Sequence, residues 1–142
     1  MRAIDPYSYH CGVMDGFCEI VGAGVKPMAL SHVFASPEER AEYRDYAEKM
    51  AAQYGILLAE EDHLPVTPLF PAEACEGAYV FLFIGSRETQ EQYTALRDRI
   101  AWLRSTGRYD VPARLEAARQ FGQLLGYQPG AVERMISASG IC

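Results

Sequence analysis

The sequence predicts a small single α/β domain over residues 1–142, with a three- to four-stranded, largely parallel sheet covered by helices and a helical C-terminal third. Three observations lead there. Helical and strand-like patterns alternate along the first part of the chain, as expected of a sheet with covering helices. Ala78 to Ile84 (AYVFLFI) is apolar at every position and rich in aromatics, so this strand is expected to be buried on both faces at the centre of the sheet. Beyond Gly85 the pattern is helical almost to the end.

The elements follow in order. Val13, Met14, Phe17, Ile20 and Val21 recur at helical spacing from about Pro6 to Val21, with Asp5-Pro6 placed as cap and first helical residue. Gly22-Ala23-Gly24 stops that helix, and Val25 to His32 reads as a short strand whose Pro27 suits a start or an edge. Ser36-Pro37-Glu38-Glu39 opens a second helix: a capping hydroxyl, a proline at the first position and acids facing the positive end of the dipole. It is expected to continue to Tyr54, with Gly55 as its stop. Ile56 to Ala59 is a second strand running into Glu60-Glu61-Asp62-His63. Val66 to Phe70, interrupted by Pro68, is at best an edge strand or an extended connection. Ser86 caps a third helix to about Arg104, with Tyr93, Leu96, Ile100 and Leu103 as its core stripe and Trp102 off it. Asp110 and Pro112 open a fourth, with Leu115, Ala118, Phe121, Leu124 and Leu125 along one face. Pro129 to Ser137 is a short fifth.

Composition excludes several function classes. Of 142 residues, 49% are apolar and 23% charged, which suits one ordinary globular domain. Thirteen Lys plus Arg against nineteen Asp plus Glu give a net charge of −6, and no basic run exceeds two residues. Nucleic-acid binding is not expected, because such a surface repels phosphates. The longest apolar stretch falls far short of the ~18 residues that suggest a membrane span, and no signal-peptide core follows Met1-Arg2, so a cytoplasmic protein is expected. Cys11, Cys18, Cys75 and Cys142 form no CxxC pair and no zinc-ribbon spacing, and each reads first as a small buried hydrophobe. Cys142 is not placed for prenylation. The sequence names no metal and no cofactor.

Ligands of an open α/β sheet collect outside the carboxyl ends of its strands. If the strands are parallel, that rim gathers Ser31-His32, Glu60-Glu61-Asp62-His63 and Gly85-Ser86-Arg87. His32, Asp62 and His63 are then candidate catalytic residues, as a general base with its orienter or as ligands to a divalent metal, although their spacing matches no named metal motif. Gly85, Ser86 and Arg87 open a helix after a buried strand, where free N–H groups favour an anion. The plainer alternatives are a solvated acidic turn and an ordinary Ser86 cap. Gly22-Ala23-Gly24 is no dinucleotide fingerprint, because a helix ends there and a strand begins, and there is no GxSxG elbow.

The first helix carries the other candidates. His10 falls in the middle of its apolar arc, and Cys11 lies near the helix start, where a thiol beside a histidine can be activated as a nucleophile. Adjacent His10 and Cys11 point about 100° apart, so the base would have to be another histidine, such as His32. His10 is also a candidate ligand-binding residue. Gly12 and Gly16, one turn apart, call for either close packing or ligand access.

Two functions stay open at this level. One is an enzyme or binding protein for a polar or anionic small metabolite at the strand ends. The other is a non-catalytic accessory protein, a partner or homo-oligomer subunit, that uses its helical C-terminal part or the tyrosine-rich second helix.

Overall fold

The computed structural model describes residues 2–140; Cys142 lies outside them. Its elements are α1 (Pro6–Gly22), β1 (Met28–Leu30), α2 (Pro37–Ala41), α3 (Arg44–Tyr54), β2 (Leu57–Glu61), α4 (Ala72–Cys75), β3 (Val80–Ile84), α5 (Arg87–Ser105), α6 (Val111–Leu124) and α7 (Pro129–Ala138). Four helix starts are fixed by side-chain caps: Asp5 accepts from Ser8 N, Ser36 from Glu39 N, Ser86 from Thr89 N and Asp110 from Ala113 N. Each satisfies an N–H that the helix itself leaves without a partner.

The sheet has three strands in the order β1-β3-β2, and both neighbours run antiparallel to β3. Met28 and Leu57 both pair with Ile84, and Glu61 pairs with Val80. The expectation of a largely parallel sheet is therefore wrong. The reason lies in what an all-apolar strand reports, which is burial on both faces and not direction. Val80, Leu82 and Ile84 point into a core shared with α5, α6 and α7, while Phe81 and Phe83 point into a second core formed with α1 and α3. Helices on both sides bury an antiparallel strand as completely as a parallel one.

One further departure has a local cause. The helix expected from Ser36 to Tyr54 breaks at Glu42-Tyr43, where Glu42 N bonds to Glu39 O and Tyr43 N to Arg40 O. This tight turn swings both Arg40 and Tyr43 inward, and both are buried. Val66 to Phe70 forms only an isolated bridge between Thr67 and Phe70. No helix among the described residues is long and apolar enough to cross a membrane.

The helical layers meet closely at two glycines. At Gly22 an added Cβ would lie 2.9 Å from Tyr54 O, which sets the approach of α1 to α3. At Gly122 it would lie 2.5 Å from Val132 Cγ2, which sets the approach of α6 to α7. Gly12 and Gly16, by contrast, have nothing within 4 Å, so close packing is not what they provide. Val132 is β-branched and held in one rotamer by its helix, so it cannot swing aside. Gly122→Ala should therefore lower stability by about 1–3 kcal/mol in denaturant unfolding, the usual cost of overpacking. Adding Val132→Ala should recover part of the loss.

Candidate functional site

Because β1 and β2 run the same way and β3 runs against them, the rim expected from sequence is divided. Ser31-His32 and Glu60–Asp62 leave β1 and β2 beside the start of β3, where Ser31 N donates to Phe81 O and Glu61 pairs with Val80. Gly85-Ser86-Arg87 leaves β3 at the opposite edge, where Gly85 N donates to Pro27 O at 2.8 Å. That bond occupies the amide that an anion would need, and Ser86 Oγ is engaged as a cap by Thr89 N at 3.1 Å. Gly85, Ser86 and Arg87 thus do not share an edge with His32 and Asp62.

The acids after β2 face arginines. Arg40, 5% exposed, sends Nη1 to Glu61 O at 2.9 Å and to Val80 O at 3.3 Å. Its Nη2 lies 2.8 Å from Asp62 Oδ1. Its Nε lies 3.1 Å from Glu60 Oε1 but without the alignment of a hydrogen bond, so that contact is one of charge alone. Arg44 donates to the same Glu60 oxygen at 2.8 Å. Glu61 accepts from Tyr93 Oη at 2.8 Å and from Arg97 Nη1 at 3.1 Å, and burial, with Glu61 beside it, raises the Tyr93 phenol pKa. Each carboxylate thus has a cationic partner. No group of three or more metal-ligating side chains occurs among the described residues. His63 is turned away from this set, onto a pocket with Cys75 and Arg104.

His10 and His32 do meet. Their rings stack with centroids 4.0 Å apart and 17° between planes. Phe34 stands edge-on to His32 and Tyr9 edge-on to His10. Cys11 lies among phenols: the Tyr7 hydroxyl is hydrogen-bonded to its thiol, which raises the Tyr7 pKa, and Tyr43 is also within electrostatic range of it. Among the described residues no hydrogen bond joins Cys11 to a histidine, so the thiol has no base at hand. Cys18, deeper in the same core, is pushed up to about 12 by burial and by Asp15.

A cavity of about 820 Å³ lies elsewhere, between the 62–79 segment and the helical side of the molecule. Val66, Leu69 and Pro71 line it from the segment, Met135 and Ala138 from α7, and Arg104 and Arg114, both in electrostatic range of Tyr109, line it as well. Three bonds hold the segment in place. Tyr109 Oη donates to Val66 O at 2.6 Å, Leu69 N donates to Thr67 Oγ at 3.1 Å, and Cys75 Sγ donates to Phe70 O at 3.2 Å. Burial pushes the Cys75 thiol up to about 11, so it remains a protonated donor at neutral pH. Arg114 Nε donates to Tyr109 O at 3.0 Å, with the guanidinium 5.6 Å from the ring centroid. Neither Arg104 nor Arg114 makes an ion pair among the described residues. A smaller pocket of about 360 Å³ shares Val66, Ala72 and Arg104 and extends to His63.

The cavity is not visible as a motif. The available signal was the 62–79 stretch itself, with Pro65, Pro68 and Pro71, since a long irregular connection in a compact domain is usually functional or disordered. Comparison of the chain with protein-family models, with curated proteins and with solved structures gives no match.

Two consequences can be measured. Arg40→Ala removes the cation from two carboxylates, Glu60 and Asp62, and from two carbonyls. Because Glu60 and Asp62 are partly solvated, the cost should be about 2–3 kcal/mol, below that of a fully buried pair, with faster amide exchange across 62–79. Burial first, and His10 second, lower the His32 pKa below 6.5, with Glu39 opposing them. The unfolded chain therefore binds the His32 proton first as pH falls. This contribution to stability is complete above about pH 6.5 and is lost as pH drops from there through the folded value. Denaturation midpoints should fall across that window, and His32→Gln should flatten the fall.

Proposed function

We propose that this protein binds a small anionic metabolite, and that the site is the cavity between the 62–79 segment and α5, α6 and α7. The carrying observation is the pair Arg104 and Arg114, two cations without carboxylate partners among the described residues on the wall of one cavity, in a chain of net charge −6. Ligand sites are concave, mostly apolar and about 300–1,000 Å³, with a few convergent polar groups that fix orientation. This cavity has that size and composition. Arginine suits the role because its planar fork pairs with oxyanions and keeps its charge at all relevant pH values.

The reading is of binding and not of catalysis. His10 and His32 stack on each other, Cys11 faces a phenol, and Asp62 is held by Arg40. None of these presents a nucleophile with a base in hydrogen-bond reach. The free thiols of Cys11, Cys18 and Cys75 suit a reducing compartment, in keeping with a cytoplasmic protein.

Titration with benzoate, inorganic phosphate and citrate at constant ionic strength, followed by backbone amide NMR shifts, tests the site. At least one of the three should give saturable shifts at 66–73, 104–114 and 135–139. The Arg104→Gln/Arg114→Gln double variant should lose them while keeping its denaturation midpoint, since both side chains are exposed. Saturable shifts confined to other residues, or none with any of the three anions, would overturn the proposal.

A further inference from the structure

The walls of the same cavity narrow the ligand class, and the inference rests on the binding reading above. We infer that the ligand is a small monocarboxylic acid with an apolar body, its carboxylate on Arg104 and Arg114 and its body against Val66, Leu69, Met135 and Ala138.

Charge sets the first limit. The cavity wall carries two arginines and one acid, Glu73, so the local balance is a single positive charge. A phosphate monoester near −2, or a di- or tricarboxylate, would bring more negative charge than the wall neutralises and would meet Glu73. A monocarboxylate matches it. The guanidinium fork also presents paired donors at the spacing of two carboxylate oxygens.

The second limit is the state of the polar groups. Thr67 Oγ accepts from Leu69 N, Tyr109 Oη donates to Val66 O, and Ser139 Oγ donates to Ile136 O. These hydroxyls are already engaged in holding the segment and the end of α7, Tyr109 and Ser139 through their only donor. A sugar or polyol entering the cavity would exchange its hydrogen bonds to water for apolar contacts and lose free energy. An aliphatic or aromatic body would instead gain from leaving water, in proportion to the area it buries. The adjoining pocket past Arg104 carries His63 and Glu76, so the apolar body is best placed on the Val66, Leu69, Met135 and Ala138 side of the charged groups.

The test uses the full chain and four probes, 4-phenylbutyrate, 4-phenyl-1-butanol, glucose 6-phosphate and citrate, with affinities from calorimetry and sites from amide shifts. The expected order is 4-phenylbutyrate tightest, with the alcohol weaker by roughly tenfold or more, the worth of a charge-assisted hydrogen bond in affinity terms. Arg104→Gln and Arg114→Gln should each weaken 4-phenylbutyrate without affecting the alcohol, and Met135→Lys should weaken both. Glucose 6-phosphate or citrate binding at the cavity as tightly as 4-phenylbutyrate would overturn the ligand class while leaving an anion site intact. Equal binding of the acid and the alcohol would overturn the role of the arginines. If no probe and none of the three simpler anions shifts the cavity amides, the binding reading itself fails.

Discussion

The structure depends on β3 being buried on both faces while running against both of its neighbours. Two-sided burial fixes the layers: Val80, Leu82 and Ile84 require a helical cover on one side, and Phe81 and Phe83 require one on the other. Direction fixes the edges. With β3 reversed, the ends of β1 and β2 meet its beginning, and the turn into α5 is carried to the far edge. A crevice of the kind found above parallel strands therefore has no place to form, and binding space has to arise elsewhere. Adjacent antiparallel strands can be joined by a two-residue hairpin. Here Glu61 already pairs with Val80, yet the chain runs through 62–79 between them. That excess chain, laid against the helical side, is what encloses the cavity.

A long loop costs closure entropy, though the cost grows slowly with length, and its ends must still be held. Arg40 does this. Its guanidinium reaches Glu61 O on the strand entering the loop, Val80 O on the strand leaving it, and Asp62 at its first residue. A buried cation is expensive unless it is paired, and here the Glu61 and Val80 carbonyls and the Glu60 and Asp62 carboxylates surround it. The Glu60 and Asp62 carboxylates thus have a structural role beside the arginine that closes the neck of the loop, while the Glu61 carboxylate is held by Tyr93 and Arg97. Farther along, Tyr109 and the Cys75 thiol pin the loop to the connection between α5 and α6 and to itself. Neck and body are fixed separately.

Much of the local structure is legible in the sequence because it is decided locally. Asp5-Pro6, Ser36-Pro37, Ser86 and Asp110 each cap the helix that their chemistry announces, and the AYVFLFI run is the central strand. What the sequence does not carry is relative direction. An apolar run is the same in a parallel and an antiparallel sheet, so the grouping of 31–32 and 60–63 with 85–87 followed from an assumption about direction alone. The pairing of His10 with His32 is an intermediate case. Each residue is identifiable as a polar group near an apolar surface, but only the path of the chain from β1 past the start of α1 brings the rings to 4.0 Å. The cavity is the opposite extreme, assembled from four separate stretches that share no motif.

Lack of an ion pair does not by itself single out Arg104 and Arg114, since Arg87 and Arg134 also stand on the surface without one. The difference is geometric. Five arginines serve as partners to acids: Arg40 and Arg44 hold Glu60, Arg97 holds Glu61, Arg99 holds Glu116 and Arg119 holds Glu133. Arg87 and Arg134 are isolated and solvated, where an unpaired charge costs little. Arg104 and Arg114 come from different helices, are both in electrostatic range of Tyr109 and share a concave, mostly apolar wall. Two like charges lining one cavity repel each other, so the arrangement is less favourable empty than it would be with a compensating anion between them. That difference in free energy is available to binding, and it favours a ligand whose charge is carried at one end and whose remainder prefers to leave water.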